Sequence, residues 1–582
     1  MKSNVLKHYR RKKFFFRLFM RSSPRSGAMF GLAWMSMVSG ILPLILFALF
    51  TCFGGFTDVW KIIAAVVCLF LLSIPAYAYG YILCMIGVSK ICQSAFKNKT
   101  IGNIAGAVGC WFLPLLGLLL VPVLIVRKKF SGVGFALAGS AFFLLSYFKY
   151  LNIISCLFLG TGCCFAALAF CDDKNKFSWK FAVPFGIALA SHLFLLGYNV
   201  KLQYDVKHYR NELSQLIGRS VEVDDFWRRD AQGVPSDSRE LKALIAARPE
   251  SSHLEYEFEN SGVARTKLRE YEKKYPSFVQ AVDEFLQLPE SHVGHQIPED
   301  GMLLSVLMPE LGAFREAARH RAMKAIANSG DKVLVRKCNA DMIKLRNWAL
   351  QSEFSISLLV AAAIEHIRLN ALTVILGEGG LPQKELEELV GAPVDWEKFL
   401  RYSFGCEAAG FKSAFDHLQM SASLQQMDVA LGTVKKYMPL FMHTHFLRDY
   451  RFALRYFIKA CSVPPELSGE EKAQWAEVDE NEIKRNSYFL SGMLTPAIGV
   501  FYRKTAQVAD RRKIVLLSAE IMEYRKRHGK LPENLDFLPA IPAADLDHRP
   551  LTYEKTEDGF EIYSSRHGAM PNIYEVKIIR KK

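Results

Sequence analysis

Four histidines are the residues best placed by type and spacing to do chemistry. His292 and His295 stand three apart in a Pro-flanked stretch, with Glu299 and Asp300 close behind. His443 and His445 stand two apart, with Asp449 four residues beyond His445. Imidazole and carboxylate at such spacings are the donors a zinc-type hydrolase uses. Neither pair has the helical His-Glu-x-x-His arrangement of that class. On a helix, positions i and i+2 face apart, so His443 and His445 chelate together only from an extended segment. Glu365-His366 is adjacent on a predicted helix and reads as surface polar residues. Gly377-Glu378-Gly379-Gly380 precedes a helix but lacks the lysine of a phosphate-binding loop, so it reads as a helix cap. There is no Gly-x-Ser-x-Gly nucleophile elbow. Cys338, Cys406 and Cys461 are too widely spaced for a zinc cluster and read as buried filler. No cofactor motif is present, and the chemistry inventory favours a non-enzymatic protein.

The elements that position these residues divide sharply. Residues 1–200 hold only three acids, Asp58, Asp172 and Asp173, against 20 Lys/Arg, a net charge of +17. Residues 201–582 hold 54 acids against 53 Lys/Arg, a net charge of −1. The basic excess therefore belongs to the apolar half. A nucleic-acid protein would carry it on the folded soluble surface, so nucleic acid is not an expected partner. Positive flanks and anionic lipid headgroups explain it better.

Residues 1–27 form a basic segment of nine Lys/Arg interleaved with Phe14, Phe15, Phe16 and Phe19, expected at the cytoplasmic face. Residues 28–200 contain six apolar stretches of spanning length: 28–53, 62–88, 104–126, 133–148, 151–171 and 181–200. With the N-terminus inside, the flanking segments assigned to the cytoplasm carry 16 Lys/Arg and those outside carry seven. That bias predicts an inner (cytoplasmic) membrane protein with its soluble half in the cytoplasm. The one ionisable side chain inside the spans is His192, the residue a solute carrier would use. The predicted fold is an all-α membrane domain, a mainly α-helical soluble domain over 201–510, and a small α+β unit over 511–582.

Between Leu311 and Val390 the spacing predicts a helix ending near Ala327 and a turn at Asn328-Ser329-Gly330-Asp331. Two more helices and a stop at Gly377–Gly380 follow, with a new helix after Leu381-Pro382. Near the C-terminus a helix from Arg511 is predicted to stop at Gly529. Strands are expected at 551–553 and 560–563, with a third at 573–579.

Two resemblances follow from these motifs. The Gly-rich stretches Lys99-Thr-Ile-Gly102-Asn-Ile-Ala105-Gly106 and Phe130-Ser-Gly132-Val-Gly134-Phe-Ala136-Leu-Ala138-Gly139 resemble a small bacterial membrane domain of unknown function. The C-terminal pattern Tyr524…Gly529…Pro532…Leu535, then Pro550-Leu551-Thr552-Tyr553 and Gly559-Phe560-Glu561-Ile562-Tyr563-Ser564, resembles the globular domain of type II secretion major pseudopilins. With the helices before it, the stretch 300–565 is also similar to a class of uncharacterised bacterial membrane-anchored proteins. The resemblance implies a small α+β fold in an envelope assembly. The calcium ligands of pseudopilins have no counterpart in Ser564-Ser565-Arg566-His567-Gly568, which carries no carboxylate. The expected role is thus a membrane-anchored scaffold or interaction module. The alternatives are a metal-dependent enzyme in the helical domain and a small-solute carrier in the spans.

Overall fold

The computed structural model describes residues 29–38, 113–145, 153–173, 179–222, 234–249 without 236, 260–294 without 292, 308–416 without 353 and 380, 440–477, 491, 498–535 and 551–563 without 557–558, together with isolated positions 26, 82, 100 and 104. The described chain is predominantly helical with few strands, as the sequence predicts. It separates into two compact units. The first comprises Met1–Lys207, Ala422–Arg451 and Asp479–Met493, and the second comprises His208–Ser421, Phe452–Val478 and Leu494–Lys582.

In the first unit, α1 (Met29–Val38), α2 (Leu113–Val126), α3 (Phe130–Leu145) and α4 (Ile153–Phe170) build an apolar cluster around Phe30, Leu124, Phe135, Phe165 and Phe170. These helices carry no polar stripe, so packing rests on close approach. Gly139 and Gly160 face each other: a Cβ on Gly139 would lie 2.9 Å from Cys164 Sγ and 3.2 Å from the Gly160 carbonyl oxygen. The Arg127-Lys128-Lys129 turn joins α2 to α3. The Arg127 guanidinium donates to the Cys171 carbonyl at the end of α4, and Lys129 Nζ reaches that of Asp173 at 3.4 Å. The long helix α5 (Trp179–Ile217) follows, and its residues through Lys207 belong to this unit.

The second unit is a helical array. It contains β1 (Val234–Pro235), α6 (Arg239–Ala247), α7 (Ser261–Lys274), α8 (Pro276–Phe285), β2 (Val293–Gly294), α9 (Pro309–Ala327), α10 (Lys332–Gln351), α11 (Ser355–Gly377), α12 (Gln383–Val390) and α13 (Trp396–Asp416). The later part of α14 (Leu440–Cys461), α15 (Gly469–Trp475), α16 (Ile498–His528), β3 (Thr552–Thr556) and β4 (Gly559–Tyr563) complete it. The predicted punctuation around Asn328–Asp331 is present. Asp331 caps α10 by accepting from the Val333 and Leu334 amides, each at 3.1 Å. Gly379 and Gly529 both take positive φ, +72°, after α11 and α16. Only glycine adopts that conformation without strain, which is why the helices stop there. The aromatic centre of the unit is Trp348 against Phe285 and Phe314, with ring centroids 4.8 and 6.3 Å away.

The described helices depart from the sequence reading in two places. The helix α16 runs unbroken through the expected boundary at 510/511, where Asp510 and Arg511 are buried. Six crossings are also not reproduced by the described helices. Among the described residues, α11 is the one helix long and apolar enough to cross a membrane by length and composition, and it is largely buried as a core helix of the second unit. The span expected at 62–88 and most of the one at 28–53 lie outside the described residues.

At the C-terminal end, β3 and β4 form an antiparallel hairpin with Thr556 opposite Gly559. Phe560, Ile562, Leu551 and Leu535 close onto Ile514, Leu517 and Ile521 of α16. Tyr553 Oη donates to the Pro532 carbonyl at 3.1 Å, joining the two halves of the pseudopilin-like pattern. The third strand expected at 573–579 lies outside the described residues.

Candidate functional site

The densest polar cluster in the second unit is centred on α11. This helix is apolar on all sides and is packed by α9, α10, α12, α13 and α16, so its polar residues are buried with it. Glu365 was expected on the surface. It is 3% exposed, and its carboxylate accepts from Arg368 Nε at 2.9 Å and Nη2 at 2.5 Å, and from Arg346 Nη1 at 2.9 Å. Burial pushes the Glu365 pKa up, but the nearby Arg368 and Arg346 charges and hydrogen bonds outweigh it and hold it below the usual carboxylate range.

Arg368 is 1% exposed. Besides Glu365 it donates to Asn339 Oδ1 at 3.0 Å and to the carbonyls of Leu389 and Val390 at 2.8 and 3.1 Å. A guanidinium has five N–H donors, and those five bonds use all of them. Asn339 also donates to the Leu389 carbonyl at 3.1 Å, and Arg512 donates to that of Gly391. The C-terminal carbonyls of α12 are thus capped by side chains from α10, α11 and α16. The arrangement is a lock between four helices and leaves no Arg368 donor for a substrate.

His366, beside Glu365, bonds to Asn370 Nδ2 at 3.2 Å. Burial, with Arg511 and Lys504 nearby, lowers its pKa to about 4, so the ring is neutral at pH 7. A second cluster joins α7 to α9. His320 is fully buried, with Nε2 3.1 Å from Glu272 Oε1, and Tyr271 stacks on it while donating to Glu316 at 3.0 Å. Burial lowers the His320 pKa, partly offset by its bond to Glu272. Arg321 pairs with Asp283, and its Nε lies 3.0 Å from Asp341. Glu378 accepts from the Ser261 amide and the Ser329 hydroxyl, so Gly377–Gly379 serves as a cap. Cys338, Cys406 and Cys461 are all buried, and burial raises the Cys338 and Cys461 thiols to about 11 and about 12.

A partly open cavity among the described residues has a volume of about 400 Å³. Trp396, Leu400, Phe501 and Tyr502 line it, and Glu397 at its edge is paired with Lys472 at 2.7 Å.

The side chains of all four candidate histidines lie outside the described residues. His292 and His295, with Glu299 and Asp300, lie outside the described residues. His443 and His445 lie on α14, whose helical backbone sets positions two apart about 200° around the axis. Asp449 is fully buried and committed elsewhere: its carboxylate accepts from the Ser491 amide at 2.9 Å and from the Ser491 hydroxyl. Among the described residues no three His, Cys, Asp or Glu side chains are grouped to hold a metal ion. The Glu365–Arg368 lock was missed by sequence reasoning. Its signal was an acid and a base at i and i+3 inside a helix with no polar face.

No protein-family model matches the chain, and no curated protein or solved structure matches it.

Proposed function

We propose that this protein is a non-enzymatic, multi-pass membrane-anchored scaffold of the bacterial envelope. Six apolar stretches between residues 28 and 200 cross the inner membrane, and the helical domain with its pseudopilin-like tail forms an interaction platform. The basic segment 1–27 lies on anionic headgroups at the cytoplasmic face. The Lys/Arg bias of the flanks supports the same side for the soluble half.

The observation that carries this reading is the Arg368 lock, in which buried charges are committed to holding α10, α11, α12 and α16 together. A rigid platform needs such a lock, whereas a catalytic site keeps polar groups available for substrate. The test is cross-linking in native membranes followed by purification of the full chain and metal analysis. A protein partner recovered at fixed stoichiometry is expected. Zinc or iron at one ion per chain, lost in His443→Ala or His292→Ala, overturns the reading in favour of a metal-dependent enzyme.

A further inference from the structure

We infer that the first two turns of α14, Leu440–Leu447, insert into the bilayer beside the last membrane span instead of belonging to the aqueous domain. The inference rests on the reading of residues 181–200 as that span.

That stretch of α5 is free of charge and flanked by Lys180 and Lys201. Twenty residues at 1.5 Å each give about 30 Å, the thickness of the hydrocarbon core. Its described side chains behave accordingly. Ile187, Leu193, Phe194 and Val200 are exposed, and Tyr204, just past Lys201, is exposed at the level where interfacial aromatics gather.

Asn199 is an exception in that apolar surface. It lies inside the Lys201 boundary and is 2% exposed. A buried amide needs protein partners, because burial shuts out water. Among the described residues, Nδ2 donates to Thr444 Oγ1 at 3.1 Å, and Oδ1 accepts from Gln203 at 2.9 Å. Thr444 is itself fully buried. A second contact fixes the direction of α14. Arg451 Nη1 bonds Asp205 Oδ2 at 2.9 Å. From Asn199 to Asp205 is about 9 Å of helix rise, and from Thr444 to Arg451 about 10.5 Å. The two helices therefore run side by side in the same direction, and the start of α14 points toward the bilayer centre. Thr444 sits about 3 Å inside the Lys201 boundary, and Leu440 about 6 Å further in.

The sequence of α14 changes at the level this register requires. Residues 437–447, Tyr-Met-Pro-Leu-Phe-Met-His-Thr-His-Phe-Leu, carry no formal charge, and Arg448-Asp449 follow immediately. Eleven residues are too few to span, but suit a shallow insertion of roughly 5–10 Å at the acyl boundary. The partner of this helix end is the lipid bilayer, and His443 and His445 stand at its polar boundary.

The test places the photo-reactive residue benzoyl-phenylalanine at Phe441, Met442 and Phe446 in turn, in the full chain reconstituted into phosphatidylethanolamine/phosphatidylglycerol vesicles. Phe194 on the span and Val333 on α10 serve as references. Illumination is expected to attach lipid at Phe194 and at one or more of the three α14 positions, but not at Val333. Lipid at Phe194 with none at the three positions, or labelling at those positions no greater than at Val333, overturns the insertion and leaves the span standing. Absence of lipid at Phe194 overturns the span, and the insertion with it.

Discussion

The first unit packs α2, α3 and α4 through missing side chains, whereas the second packs α10, α11, α12 and α16 through buried charge. At Gly139 and Gly160 the helices touch because neither residue has a Cβ, and the added contact is dispersion alone. At Arg368 the helices are joined by five directed hydrogen bonds that have no alternative partner once buried. On the proposed membrane setting of the first unit, the difference follows from the solvent each region is built for. Where the surroundings are apolar, burying apolar surface drives nothing, and close fit decides. Where the surroundings are water, burial is driven hydrophobically, and a charge network fixes which arrangement is adopted.

The largest expected effect breaks the second half of that contrast. Arg368→Met leaves Glu365 buried with Arg346 as its remaining guanidinium and removes a donor from the Val390 carbonyl, while the Leu389 carbonyl keeps Asn339. Removing one member of a buried pair costs about 3–5 kcal/mol. Thermal unfolding of the full chain in detergent should show the second unit melting early. The double variant Glu365→Gln/Arg368→Met should recover part of the loss. A wild-type melting curve for the single variant would show that charge does not hold these helices.

The contrast also has a pH signature. The His366 pKa is lowered to about 4 from the ordinary imidazole value of 6.5, so the folded state binds fewer protons than the unfolded chain between those values. Its contribution is fully present above about pH 6.5 and is lost as pH falls toward 4, on the order of 3 kcal/mol in total. Glu365, also lowered, adds to the loss at more acid pH. His366→Gln should flatten the stability profile between pH 6.5 and 4. An unchanged profile would remove His366 as its source.

For the first unit, Gly139→Val sharpens the comparison. The new Cβ meets Cys164 Sγ at 2.9 Å and the Gly160 carbonyl at 3.2 Å, so α3 and α4 must separate. Overpacking of this kind costs about 1–3 kcal/mol. It should lower the melting temperature without changing the profile between pH 6.5 and 4, since the one titrating group touched, the Cys164 thiol, stays protonated there. Gly134, whose Cβ would meet nothing within 4 Å, is the matched control, and Gly134→Ala should be neutral.

How much of this was legible in the sequence depends on the distance over which each feature is written. The turn at Asn328–Asp331 and the stops at Gly379 and Gly529 are set by residues within a few positions, and local chemistry predicts them. The Arg368 lock is assembled from Asn339, Arg346, Glu365 and the 389–391 carbonyls, with the Asn339–Leu389 and Arg512–Gly391 bonds joining residues 50 and 121 apart, and nothing local marks them as partners. Asp449 and Ser491 are 42 apart, so Asp449 read as a ligand when it was a tether. Glu365 misled in the opposite sense, since an acid beside a histidine looks solvated until α11 is seen to bury it. The count of apolar stretches selected spans by composition, and α11 shows that a core helix satisfies the same composition.

The smallest expected effect concerns the joint between α16 and the hairpin. Gly529 ends α16 at φ +72°, with its amide donating to the Arg525 carbonyl at 2.8 Å, and turns the chain toward Pro532 and Leu535. A Cβ there meets nothing within 4 Å, so Gly529→Ala adds backbone strain and no clash. The cost is about 1 kcal/mol. Because the strain is local, it should appear as faster amide exchange in β3 and β4 while the Arg368 region exchanges as in wild type. If both regions loosen together, the C-terminal hairpin and the helical array fold as one cooperative body, and the charge lock governs the hairpin too.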